Sequence, residues 1–140
     1  MTWTPGKDKA PYLTTIVVTR DHDTGIANMA VYRTMVRDDH SLVVNLSPNR
    51  QGTRNVKSWT EKGKKAPIAW VIAAEPAVHL ATVANLPYGK DEIELAGGLK
   101  GEAVELVRCK TIDLLVPARA EIIVEGEISP GEVDDEGPFG

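Results

Sequence analysis

The chain has 140 residues with 16 basic and 20 acidic side chains, a formal net charge of −4 and one cysteine. That length suits one domain with a single core. The interspersed, mildly acidic charge excludes the basic footprint of a nucleic-acid binder, and the lone Cys109 excludes an internal disulfide or a thiolate metal cage.

No stretch approaches the roughly 20 apolar residues that a bilayer span requires, and the first residues lack the apolar run of a signal peptide. No membrane span is expected, and a reducing, cytoplasmic setting is. Residues 1–12 are polar and hold Pro5 and Pro11, so they read as a lead-in or linker. Residues 13–19 (LTTIVVT) are β-branched, a polar DHDTG turn follows, and residues 26–36 (IANMAVYRTMV) resume an extended pattern, which together predict a hairpin. Residues 42–46 (LVVNL) predict a third strand. Val56 and Trp59 stand three apart among polar residues, predicting a surface helix over 51–62 that closes at Gly63.

The run IAWVIAA, residues 68–74, is apolar throughout and fits a strand covered on both faces. Pro76 is placed to open a helix over 76–84. Asp91 is placed to cap a short helix through Leu95, ended by the Gly97-Gly98 break. Residues 103–110 alternate like a strand, residues 120–128 form another, and residues 131–140 read as a loop, leaving 13–130 as the folded unit. Six or more strands with two or three interposed helices predict an α+β fold, a β-barrel or twisted sheet with helices packed outside it. The lack of regular strand–helix alternation argues against a doubly wound fold.

The chain has no glycine-rich nucleotide turn, no Walker lysine, no G-x-S-x-G elbow and no histidine pair four residues apart. His22, His40 and His79 are scattered and read as structural or solvated. Cys109 reads as a small buried hydrophobe, and the basic residues from Arg50 to Lys65 as a solvated helix face, with an anion site as the alternative. Glu121 and Glu125 share one side of a strand, where an ion-pair role and a catalytic one both stay open. Side-chain chemistry alone yields a strand-rich soluble domain.

Four segments carry more: NMAVYR at 28–33, LPYGKDEIELAGG at 86–98, VRCKTIDLLVPARAEIIVEG at 107–126 and EGPFG at 136–140. In order and spacing they resemble the UbiD family of decarboxylases, which includes 3-octaprenyl-4-hydroxybenzoate and ferulate decarboxylases. The resemblance implies the family's central domain, a split β-barrel of the FMN-binding flavin-reductase type. It implies prenylated FMN as cofactor, with Mn2+ (or Mg2+) and K+.

Carried over residue by residue, Asn28 and Glu92 look like ligands of the divalent metal, and their oxygens are the hard donors such an ion takes. The family's third ligand is a histidine; this chain reads SPNRQGTR there, so Asn49 is the best-aligned occupant and Gln51 the alternative. Met29, Ala30, Val31, Tyr32 and Arg33, with Ala84, Asn85, Leu86 and Pro87, look like the cofactor-binding segments, the backbone near 83–86 also serving potassium. Arg33 and Glu136 look catalytic. Arg33 would hold a substrate carboxylate with its planar fork, and Glu136 would be the first glutamate of a Glu-Arg-Glu network.

Decarboxylation leaves an electron pair on carbon, so it needs an electron sink and then a proton donor. The expected function is therefore the cofactor-binding part of a decarboxylase of an aromatic or α,β-unsaturated carboxylic acid. The family's flanking domains, and the second glutamate that follows EGPFG in it, lie outside this sequence, so activity is expected to need further domains or a partner. The expected partners are the small-molecule acid, a flavin prenyltransferase as cofactor source, and either further copies in a homo-oligomer or a complementary decarboxylase subunit. The alternative is a noncatalytic flavin-binding or assembly subunit. Asn28 and Arg33 have opposite parity in a regular strand, which predicts a bulge or strand end between them.

Overall fold

The computed structural model describes residues 1–84, 86–87 and 89–139. In chain order its elements are β1 (Tyr12–Arg20), β2 (Ala27–Asp38), β3 (Ser41–Val44), α1 (Gln51–Thr60), β4 (Ala66–Ile72), α2 (Pro76–Thr82), α3 (Glu92–Lys100), β5 (Leu106–Arg108), β6 (Leu115–Pro117) and β7 (Ile122–Ile128). The β1–β2 hairpin forms where expected. Its turn is held by Asp21, whose Oδ1 accepts from the main-chain nitrogens of Asp23 (2.9 Å) and Thr24 (2.8 Å), and Gly25 supplies the positive φ (73°) that returns the chain.

The main sheet is antiparallel with strand order β3-β2-β1-β4-β7, and β5 pairs with β6 in a separate small hairpin. Alternation along the strands gives the sheet two buried faces. One carries Ile16, Val18, Met29, Ala69 and Val71 against Val78 and Ala81 of α2, Ala96 of α3, and Val116 of β6. The other gathers Val17, Tyr32, Ile68 and Trp70 with Val44 and Val124 inside the curl of the sheet. The helix α1 closes this second face, with Asn55 Nδ2 donating to Thr19 Oγ1 at 3.2 Å and Trp59 Nε1 to the Arg20 carbonyl at 2.7 Å. The architecture is α+β, the curled antiparallel sheet of a split barrel with few helices.

Several boundaries differ from expectation. The helix α3 runs through Gly97-Gly98 and ends at Gly101, whose φ is 78°. Glycine costs a helix interior stability without forcing it to stop. At Gly97 it also gives room, since a β-carbon there would lie 3.3 Å from the Glu102 carbonyl oxygen. The Asp91 cap is present, its side chain accepting from Ile93 N at 2.8 Å. The helices α1 and α2 stop at Thr60 and Thr82, short of the expected 62 and 84. The strand expected over 103–110 shrinks to β5, and its partner β6, three residues ending in proline, has too little pattern to stand out in the sequence. Residues 1–12 are tied to the sheet, with Thr2 and Tyr12 exchanging two main-chain hydrogen bonds of 2.8 Å and Tyr12 fully buried. Among the described residues no helix is long and apolar enough to cross a membrane.

Candidate cofactor and catalytic site

The strand β3 is short and pairs β2 only from Thr34 onward, so residues 27–33 have no strand on their outer side. Two contacts show which main-chain groups face that open edge. The Met29 N–H donates to Glu92 Oε2 at 3.1 Å, and the Arg33 carbonyl accepts from Asn45 N at 2.9 Å. Alternation then turns the N–H and C=O of Val31 to the same edge. A cleft of about 920 Å3 runs along it. Asn28, Ala30, Val31, Tyr32 and Arg33 line it from β2, Asn45, Ser47 and Asn49 from the segment after β3, and Arg50, Gln51 and Arg54 from the start of α1. Thr82, Val83, Ala84 and Leu86 face them, with Glu92 from α3. The volume falls in the ordinary range of a cofactor pocket.

The expected irregularity between Asn28 and Arg33 is absent. The β1–β2 register runs unbroken from Arg20↔Ala27 to Tyr12↔Met35, and the register shift lies farther on, between Val36 and Asp38 against β3. The two side chains leave opposite faces of a regular strand and still border one cleft, because the cleft follows the strand's edge.

At one end of the cleft, Glu92 is the first residue of α3 and reaches round the open edge of β2. Its Oε1 accepts from Asn28 Nδ2 at 3.2 Å and its Oε2 from Met29 N, and the residue is 6% exposed. Burial raises its pKa above the ordinary carboxylate value, the donated hydrogen bonds from Met29 and Asn28 offsetting only part. Among the described residues no cation forms an ion pair with it. The Tyr32 hydroxyl donates to Asn28 Oδ1 at 3.4 Å and accepts from Gly52 N at 3.3 Å. Gln51 Nε2 donates to the Ala27 carbonyl at 3.4 Å, beside Asn28, whereas Asn49 is exposed on the cleft wall. A buried carboxylate that no described cation pairs, with the Asn28 amide against it, fits a hard divalent ion once that amide turns its oxygen toward the carboxylate in place of its nitrogen. No group of three or more His, Cys, Asp or Glu among the described residues gathers to hold a metal.

At the other end, Arg33 Nε donates to Glu136 Oε1 at 2.6 Å and its Nη2 to Glu136 Oε2. Asn45 Nδ2 adds a third donor to Oε2 at 2.9 Å. The Arg33 side chain is 34% exposed and that of Glu136 8%. Burial alone would raise the Glu136 pKa, but Arg33 and Asn45 outweigh it and hold the carboxyl below its ordinary range, so it is ionised at neutral pH. The guanidinium lies 5.0 Å from the Phe139 ring centroid and 5.9 Å from that of Tyr12, and Tyr12 Oη donates to the Pro138 carbonyl at 3.3 Å. The chain after Asp135 is thereby strapped over the start of β1. Glu136 occupies the Nε/Nη2 edge of Arg33, and among the described residues no acceptor meets its Nη1/Nη2 end.

Of the other candidates, Ala84 and Leu86 line the cleft, Pro87 follows just beyond, and Asn85 lies outside the described residues. His22, His40, His79 and Cys109 are not on its walls. Burial raises the Cys109 thiol pKa, in keeping with an inert side chain. Glu125 is structural, accepting from the main-chain nitrogens of Lys110 (2.8 Å) and Thr111 (2.7 Å). Sequence reasoning preferred a solvated helix face for Arg50 and Arg54, which line the cleft. Their i, i+4 spacing at the start of a helix after a strand was the available signal for one shared side. Sequence reasoning missed Asn45.

The whole chain, residues 1–140, matches the family model described as the 3-octaprenyl-4-hydroxybenzoate carboxy-lyase Rift-related domain. It is 37% identical over 125 residues to the uncharacterized protein sll0936 of Synechocystis sp., covering 89% of this chain and 25% of that protein. An evolved dimeric form of the UbiD-class enzyme HmfF from Pelotomaculum thermopropionicum, in complex with prFMN, superposes with a TM-score of 0.94 at 38% identity, over 100% of this chain and 33% of that one. The closed form of Sedimentibacter hydroxybenzoicus vanillic acid decarboxylase superposes with a TM-score of 0.89 at 29% identity, over 96% of this chain and 30% of that one. The chain thus spans a quarter to a third of the length of these relatives. With its full length matched and its fold shared with UbiD-class enzymes, this chain belongs to the UbiD family.

Proposed function

We propose that this chain is the cofactor-holding part of a decarboxylase of an aromatic or α,β-unsaturated carboxylic acid, working through prenylated FMN together with further domains or a partner subunit. One observation carries this reading. A single cleft along an open strand edge has a cation-seeking carboxylate and amide at one end and a fixed arginine–glutamate pair at the other. The prFMN in the HmfF structure supports the cofactor assignment.

In this reading Asn28 and Glu92, with Gln51 or Asn49, would hold Mn2+ (or Mg2+), which would offset the charge of the cofactor phosphate. Arg50 and Arg54 add positive charge to the same wall. Main-chain groups of residues 29–33 and residues 84–87 would contact the flavin, and backbone carbonyls near 83–86 would serve K+. Bound prenylated FMN supplies the electron sink that side chains lack. Arg33 orients the substrate carboxylate through the Nη1/Nη2 end that Glu136 does not occupy, and Glu136 keeps the guanidinium in place. The bond from carbon to the carboxylate breaks, carbon dioxide leaves, and the carbon takes a proton. Glu136 is held ionised by Arg33, so that proton comes from an acid supplied by another domain or subunit. A flavin prenyltransferase supplies the cofactor, in a cytoplasmic setting, and the working assembly is a homo-oligomer or a pair with a complementary decarboxylase subunit.

The test is an ultraviolet–visible titration of the chain with FMN and with prenylated FMN, each with and without Mn2+. Tighter, Mn2+-dependent binding of the prenylated form is the expected result. Binding of plain FMN without metal dependence would instead make the chain a flavin-storing module, and binding of neither would overturn the assignment for the isolated chain.

A further inference from the structure

Asn45 stands at the junction of three elements. It follows β3 directly, and its main-chain N–H donates to the Arg33 carbonyl at 2.9 Å, extending the β2–β3 ladder one step past the Thr34↔Val44 pair. Its side chain then crosses to the strap that carries Glu136, donating from Nδ2 to Oε2 at 2.9 Å. Both oxygens of Glu136 are engaged by Arg33, so Asn45 closes the carboxylate from the side the guanidinium leaves open. The amide orientation is dictated by chemistry, because an ionised carboxylate only accepts and the Asn45 nitrogen must face it.

We infer that Asn45 is a positioning residue, locking Glu136 onto Arg33 so that the guanidinium keeps its place on the cleft wall. The inference rests on the proposed role of Arg33 as the carboxylate-orienting group. One residue ties the backbone of the arginine and the side chain of its partner to the same strand end, so a tilt of either is resisted by the other. A neutral donor is required. Aspartate would set a second anion against Glu136, and alanine would leave Oε2 one donor short.

The test uses the full chain without flavin, so that its outcome is independent of cofactor binding. Carboxyl-carbon NMR follows the titration of Glu136, and the Arg33 Nε–H resonance reports its bond to Oε1. In Asn45→Ala the Glu136 midpoint shifts upward; in Asn45→Asp it shifts farther and the Arg33 Nε–H signal loses its hydrogen-bonded position; in Asn45→Ser, which keeps a donor, the midpoint lies between wild type and Asn45→Ala. Backbone amide spectra identify any variant that fails to fold, and the serine variant then decides. A Glu136 midpoint and an Arg33 signal unchanged in folded Asn45→Ala, or in Asn45→Asp, would overturn the inference. Failure of the flavin titration, with these shifts present, would overturn the functional reading and leave the positioning contact standing.

Discussion

The Tyr32 hydroxyl packs so closely on Gly52 that a β-carbon added there would lie 2.6 Å from the oxygen and 3.0 Å from the ring carbon that bears it. The start of α1 thus rests on the residue that also contacts the Asn28 amide. Gly52→Ala should destabilise the chain by about 1–3 kcal/mol in urea unfolding, the usual cost of overpacking. Adding Tyr32→Phe removes the nearest atom, so the double variant should lose less than the sum of the single losses. Strict additivity would mean that the two residues do not press on each other.

Replacing Glu92 by Gln removes the buried charge while keeping the size of the side chain. Mn2+ affinity, read from the free-ion signal in electron paramagnetic resonance, should fall by at least about tenfold, since even partners outside the ligand shell are worth that much. An unchanged affinity would place the metal elsewhere.

Glu136 gives a pH signature whose sign follows from its depressed pKa. Its folded value lies below the ordinary 4.5, so its stabilising contribution is fully present above that value and is lost as pH falls through the folded pKa. Glu136→Gln should therefore be less stable than wild type at neutral pH, with the gap narrowing as the solution is acidified below about 4.5. Thermal unfolding of both proteins across that range measures it, and a gap that widens on acidification would contradict the ion pair.

Inside the curl of the sheet, Trp70 Nε1 donates to Thr34 Oγ1 at 2.9 Å, and both residues are buried. Thr34→Val preserves shape but strands the indole N–H, a loss of about 1–3 kcal/mol in denaturant unfolding. Thr34→Ser keeps the acceptor and should recover part of it. Equal stability of the valine and serine variants would mean that the indole finds another acceptor.

The fold was legible where local chemistry is strong. The β-branched runs flanking DHDTG gave the hairpin, the unbroken IAWVIAA run gave a strand buried on both faces, and Asp91 marked the start of α3. The site was only half legible, for a geometric reason. Side-chain parity treats a strand as having two faces, but this cleft uses a third direction, the edge left open where β3 ends. That is why Asn28 and Arg33 seemed to need a bulge. Asn45 was hidden for a related reason, since nothing in LVVNL tells that its last polar residue meets a strap 91 positions later. Gly97-Gly98 misled because a glycine serving close approach and a glycine ending a helix look alike in sequence.

The Arg33–Glu136 pair joins positions 103 apart in a chain of 140 residues, so it closes about three-quarters of the chain into one loop. The entropy of closing a loop grows with its length, and such a contact is rewarded only after the strands between its ends have assembled. The strap has no place in the sheet and is held by side-chain contacts and by the main-chain hydrogen bond from Lys9 N to the Pro138 carbonyl at 3.0 Å, so this end is expected to open locally below the energy of global unfolding. Native-state exchange at this end reports the clasp by itself. The guanidinium proposed to face the substrate is thus anchored on one side to the main sheet through β2 and on the other to the terminal strap through Glu136.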